Sequence, residues 1–171
     1  MASKTRTRKK KAGVHDGVTI RGFYRLHIEE DGKIVGDSGW YENNITNLGI
    51  QFYLAAALAA LANSSQISFA GIGTGTAPGD TDTTLDGEVT GTSAQVWRAS
   101  VVAASNGSTA VRFTGTFSSN VSFVTTTENI SNIGLFRSST GGTLFAGNTY
   151  AGSSVGTNQN VNFTYEITFA G

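Results

Sequence analysis

Val161-Asn162-Phe163-Thr164-Tyr165-Glu166-Ile167-Thr168-Phe169 alternates apolar and polar side chains without a slip. Successive side chains of a strand point to opposite faces, so a period of two predicts a half-buried strand. Far upstream, Ile20, Tyr24, Leu26 and Ile28 share one parity, with Arg25 and His27 on the other. Glu30-Asp31-Gly32-Lys33 then predicts a turn in which Gly32 takes a positive φ. Ile34-Val35 and Trp40-Tyr41 read as a returning strand interrupted at Gly36 to Gly39.

The same alternation recurs between these two ends. Ile67 and Phe69 alternate with Ser68 and Ala70, and a Gly-, Thr- and Asp-rich loop follows from Gly73 to Gly91. Val96 to Ala103 and Ala110 to Phe117 read as strands joined at Ser105-Asn106-Gly107-Ser108, where Asn-Gly is a strong hairpin signal. Val121 to Thr126 reads as a continuation of the second strand past a bend. Ile130, Ile133, Leu135 and Phe136 lead to a turn at Thr140-Gly141-Gly142-Thr143. Leu144-Phe145 opens the return, and Ala151 to Asn158 reads as a Gly/Ser-rich loop. About eight short strands predict a mainly β fold, a single β-sandwich or jelly-roll-like barrel.

One helix interrupts the strands, near residues 47–62. Ile50, Tyr53, Leu54, Ala57, Leu58 and Leu61 form one apolar stripe at helical spacing. Thr46 or Asn47 can cap its start, and Asn63 with the following serines can stop it.

Charge is distributed unevenly. Lys4, Arg6, Arg8, Lys9, Lys10 and Lys11 are half of the twelve Lys/Arg, and all twelve Asp/Glu lie beyond them. The pattern predicts a flexible basic N-terminal arm over 1–17 and a β-rich domain over 18–171. Such an arm suits an acidic partner. A protein surface is the favoured one and an inert solvated tail the second reading; nucleic acid is the third, bound through phosphates alone, because no aromatic is interleaved for base stacking. Only 14% of residues are charged, well below the roughly 25% usual for soluble domains. Ser, Thr, Asn and Gly supply the polarity instead, and neutral groups cost less to desolvate against a partner.

The chain has no cysteine, which excludes disulfides, thiolate metal sites and cysteine nucleophiles. No apolar run is long enough to span a bilayer. His15, Asp16 and Arg21 fall where a secretory segment would need apolar residues, so the chain is expected to be synthesised in a cytoplasm.

Motifs of chemistry are thin. His27 reads as a surface or interface group. Gly152-Ser153-Ser154-Val155-Gly156 has the spacing of a nucleophile elbow, but no histidine follows it. Gly71-Ile72-Gly73-Thr74-Gly75 reads as a strand exit with tight backbone turns, not a phosphate cradle. Asp80, Asp82, Asp86 and Glu88 cluster without the order of a calcium loop. They read as an exposed acidic loop that could dock a basic arm from a neighbouring copy. No catalytic residue, cofactor or metal ligand is expected.

Several stretches, taken in order, resemble small virion structural proteins of tailed bacteriophages. They are Asp31-Gly32-Lys33-Ile34-Val35, Asn43-Asn44-Ile45-Thr46-Asn47-Leu48-Gly49, Ile67 to Thr76 with Leu85 and Glu88, Ile130-Ser131-Asn132-Ile133-Gly134-Leu135-Phe136, and Gly142-Thr143-Leu144-Phe145-Ala146. Asn132 stands where that pattern often has an acid, and the arginine common after Leu-x-x-Glu is absent. The resemblance implies a non-enzymatic β-rich virion component. Short length favours a capsid decoration (cement) protein, trimeric, bound to the major capsid protein and to copies of itself. Phe23, Tyr24, Trp40, Tyr41 and Trp97 are candidate anchors. A neck, tail or baseplate component is the alternative, and a glycan-binding surface module a third reading.

Overall fold

A computed structural model describes residues 19–55, 66–90 and 98–170. The six cations of the expected arm, the second half of the expected helix, Val96 and Trp97 lie outside the described residues.

Among the described residues ten antiparallel strands form one nearly closed, barrel-like sheet, two more than the alternation alone suggested. They are β1 (Thr19–Glu30), β2 (Lys33–Asp37), β3 (Tyr41–Ile45), β4 (Phe69–Gly73), β5 (Arg98–Ser100), β6 (Val102–Ser105), β7 (Ala110–Phe117), β8 (Glu128–Phe136), β9 (Leu144–Val155) and β10 (Asn160–Ala170). Hydrogen-bonded order runs β5-β4-β8-β9-β3-β1-β10-β7-β6, and β2 pairs with β1 beside β3. Both ends of this path belong to one stretch of chain. β5 pairs with β4, β6 pairs with β7, and only Val101 separates them. Val101 donates its amide to the Ser68 carbonyl at 2.9 Å, which fixes the corner. The single strand expected over 96–103 is therefore bent between the two ends of the sheet.

β1 and β10 form the spine, paired from Thr19↔Ala170 to Glu29↔Asn160. Their inward residues Tyr24, Leu26, Ile28, Val161, Phe163, Tyr165 and Ile167 are all buried, as the period of two requires. Tyr24 stacks on Tyr165 with centroids 5.8 Å apart and meets Tyr150 edge-on. Its hydroxyl donates to the Thr149 carbonyl, which joins β1 to β9. A smaller core of Leu85, Phe136 and Leu144, with Phe69 against it, sits under the loop after β4.

The turns follow their sequences. Asp31 and Gly32 both have positive φ, 48° and 75°, the backbone that lets a two-residue loop match the strand twist. Gly107 turns the β6–β7 hairpin at φ 80°. Two expected boundaries are corrected. Ala151 to Val155 continues β9, whose Ser154 pairs with Asn129 of β8; only the residues after Val155 turn. Val121 to Thr126 is not strand: a 3-10 turn over Ser119–Val121 ends at left-handed Ser122 and drops Phe123 and Val124 into the core.

The helix begins as read. Thr46 caps it, its hydroxyl accepting from the Gly49 amide at 2.9 Å. A short α1 (Asn47–Gly49) passes directly into a π-helical segment over Ile50–Ala55. Gly49 lies so close to β9 that a Cβ there would stand 2.1 Å from the Phe145 carbonyl oxygen. Tyr53 is buried, its hydroxyl donating to the Thr143 carbonyl, and burial pushes that hydroxyl up to about 12. Ile50, expected on the buried stripe, is exposed instead.

Candidate functional site

The acidic stretch is a loop held by many hydrogen bonds and close backbone contacts. Gly71, Gly73 and Gly75 let the chain run against Asp86, Gly87 and Glu88: a Cβ at any of them would come within 2.7 Å of those residues or Asn132. Thr74 donates to the Gly87 carbonyl and Val89 to that of Ile72. Asn132, fully buried on β8, donates to the carbonyls of Thr76 at 3.2 Å and Asp86 at 2.8 Å. An amide side chain supplies two donors that a carboxylate lacks, so Asn132 ties both arms of the loop to the sheet.

Each carboxylate has its own task. Asp80 accepts from Asn44 at 2.7 Å, and Asp82 accepts from the Gly79 amide at 2.8 Å. Asp86 accepts from the amide and hydroxyl of Thr76, which hold its carboxyl below the usual range. Among the described residues no three His, Asp or Glu side chains are placed to hold one metal ion.

Glu88 overturns the reading of a wholly exposed acidic loop. It forms a two-point ion pair with Arg98 of β5, at 2.5 and 3.0 Å, with side chains 7% and 1% exposed. The Arg98 guanidinium also lies 3.4 Å from the Phe136 ring centroid and donates to the carbonyls of Ser138 and Gly141. Glu88 thus has an arginine partner ten residues on, supplied by the fold. Sequence reading missed it because Arg98 carries no local mark; its position on the strand after the loop was the only available signal. Asp80, Asp82 and Asp86 remain exposed.

Ser154 stands exposed on a strand, not at a strand-to-helix elbow. His27 lies on the outer face of β1, its Nε2 3.5 Å from Asp37. Arg25 forms two hydrogen bonds to the same Asp37. Arg25, then the Gly39 amide, push the Asp37 carboxyl far down.

The anchors divide. Tyr24 is core. Phe23 is half-buried on the outer face beneath Arg21, whose guanidinium lies 5.7 Å from its ring. Trp40 and Tyr41 are exposed, and Ile34 and Val35 beside them in the chain are 64% and 56% exposed. Four large apolar groups between residues 34 and 41 are therefore exposed in whole or in part, Tyr41 while also stacked on the buried Tyr24 ring. Separately, a groove of about 510 Å³ opens between the π-helical segment and the β7–β10 face, lined by Tyr53, Leu54, Phe113, Phe145 and Phe169 among others.

The class this geometry defines is a nearly closed antiparallel β-barrel with one short helical insertion and a stitched acidic loop. No protein-family model, curated protein or solved structure matches the chain.

Proposed function

We propose that this protein is a non-enzymatic structural component of a tailed-bacteriophage virion. Within that class it acts as a capsid decoration protein, bound between major capsid protein subunits at the outer surface of the head. The observation that carries the reading is the exposure of Ile34, Val35, Trp40 and Tyr41, four large apolar residues close together in the chain. Exposed aliphatic and aromatic groups favour an assembly surface. The buried Arg98–Glu88 pair and the Asn132 staple add support, since they make the loops around one end of the sheet rigid enough to dock without ordering cost. The ordered likeness of residues 31–146 to small virion proteins gives the reading its biological setting. The basic arm and the exposed carboxylates Asp80, Asp82 and Asp86 serve as secondary contacts between copies.

Purified particles test this directly. Hundreds of copies per particle, removed together with head stability by mild denaturant, are the expected result. A few to a few dozen copies located at the neck, tail or baseplate would replace decoration by the alternative role. Complete absence from particles would overturn the virion reading.

A further inference from the structure

We propose that Asn106, in the β6–β7 hairpin, is a site of spontaneous covalent modification. In the folded protein the Gly107 amide closes on the Asn106 side chain and converts the residue to aspartate and isoaspartate, which breaks its contact with Glu166. This chemistry is independent of any role in a virion.

Asn-Gly occurs once in the chain, at 106–107. Asparagine is thermolabile, and a glycine after it has no Cβ to obstruct attack by its own nitrogen. Gly107 is exposed, and a Cβ there would meet nothing within 4 Å. Its amide donates to no acceptor among the described residues. Its carbonyl accepts from Ser105 Oγ at 2.7 Å, and the Asn106 amide donates to the Ala110 carbonyl at 2.9 Å. The hairpin therefore holds the backbone around Asn106 while leaving the attacking nitrogen unused. The Gly107 nitrogen bonds to Asn106 Cγ, the Cγ–Nδ2 bond breaks, and the Gly107 amide proton leaves with Nδ2 as ammonia. Water then opens the cyclic imide at either carbonyl, giving aspartate or isoaspartate. One ammonia is exchanged for one water, and no oxidant or reductant enters.

The product alters a charged contact. Asn106 Nδ2 donates to Glu166 Oε2 on β10 at 2.5 Å, and Arg112 of β7 reaches the same oxygen at 3.0 and 3.2 Å. Glu166 is thus satisfied by a guanidinium and a neutral amide. An ionised aspartate has no donor to give, so a second carboxylate faces Glu166 over the one guanidinium, and like charges that close repel. Isoaspartate also lengthens the main chain by a methylene, at the residue whose amide holds Ala110. β6 has little to resist this: its four residues are all exposed, and among the described residues it pairs with β7 alone. Modification therefore loosens the β6 end of the sheet and leaves the β1–β10 spine paired.

Purified full-length protein, incubated folded at mildly alkaline pH and then digested, is expected to show the ammonia-for-water mass exchange at Asn106 ahead of every other asparagine. Isoaspartate is expected in the same peptide, read by isoaspartyl methylation, and Asn106→Ser is expected to abolish both signals. Asn106→Asp, made genetically, is expected to melt below the parent. That deficit should shrink when Glu166→Gln is present in both backgrounds, because the facing charge is then gone. Asn106 left unconverted in the folded protein while the urea-unfolded chain reacts would overturn the proposal. Exchange spread evenly over the asparagines would do the same, as would an Asn106→Asp deficit indifferent to Glu166→Gln.

Discussion

Arg98 is the side chain on which the loops at one end of the sheet depend. Its guanidinium is taken out of water and satisfied by Glu88, two carbonyls and the face of Phe136. Breaking a buried pair from one side strands the other charge, at a cost of about 3–5 kcal/mol. Glu88→Gln is therefore expected to lower the urea midpoint sharply, and Arg98→Met/Glu88→Leu to recover part of the loss. Asn132 offers a second test. Asn132→Asp removes the two donors that hold Thr76 and Asp86, at about 1–3 kcal/mol. Burial and facing carbonyls raise the new carboxyl above its unfolded value, so the variant's deficit relative to the parent should shrink below about pH 4, where the protonated group can donate, and grow as pH rises. Denaturation of parent and variant side by side across pH measures it.

Among the elements, the helical insertion is held by fit. Gly49 is there because Phe145 leaves no room for a Cβ. Gly49→Ala must push α1 off β9, and overpacking of this kind costs about 1–3 kcal/mol, readable as a lower melting temperature with the β signal retained at low temperature. Elements whose marks are local were legible in the sequence: the alternation of 161–169, the parity of Ile20 to Ile28, Asp31-Gly32, Asn106-Gly107 and the Thr46 cap. Elements settled by distant partners were not. Ala151 to Ser154 looks like a loop because small polar residues line it, yet pairing with Asn129 and Ile130 makes it strand. The corner at Val101 answers to Ser68, and Glu88 to Arg98. Asp80, Asp82 and Asp86 were rightly placed at the surface, whereas the exposed Ile34 and Val35 looked like an ordinary returning strand, because exposure depends on what the rest of the sheet leaves uncovered.

Across the molecule, several surface carboxylates are held below their unfolded values. Gln159 and then Asn158 lower Glu30, Arg25 and then Gly39 lower Asp37, and Thr76 lowers Asp86. Depressed carboxyls contribute stability that is present above the unfolded values near pH 4 and lost as pH falls through the folded ones. The urea midpoint should therefore hold steady from about pH 7 to about pH 5 and fall below about pH 4. A midpoint that rises on acidification would contradict these assignments.

The pairing of β1 with β10 also sets an order of events during synthesis. A ribosome finishes Thr19–Glu30 while Asn160–Ala170 has yet to be translated, so the spine of the barrel is assembled from segments made at widely separated times. Until then Tyr24, Leu26 and Ile28 of the nascent polypeptide lack the strand that pairs with β1 along nearly its whole length. The barrel closes after nearly all of the described chain has left the exit tunnel, and closure is slow because the contacts that reward it are distant.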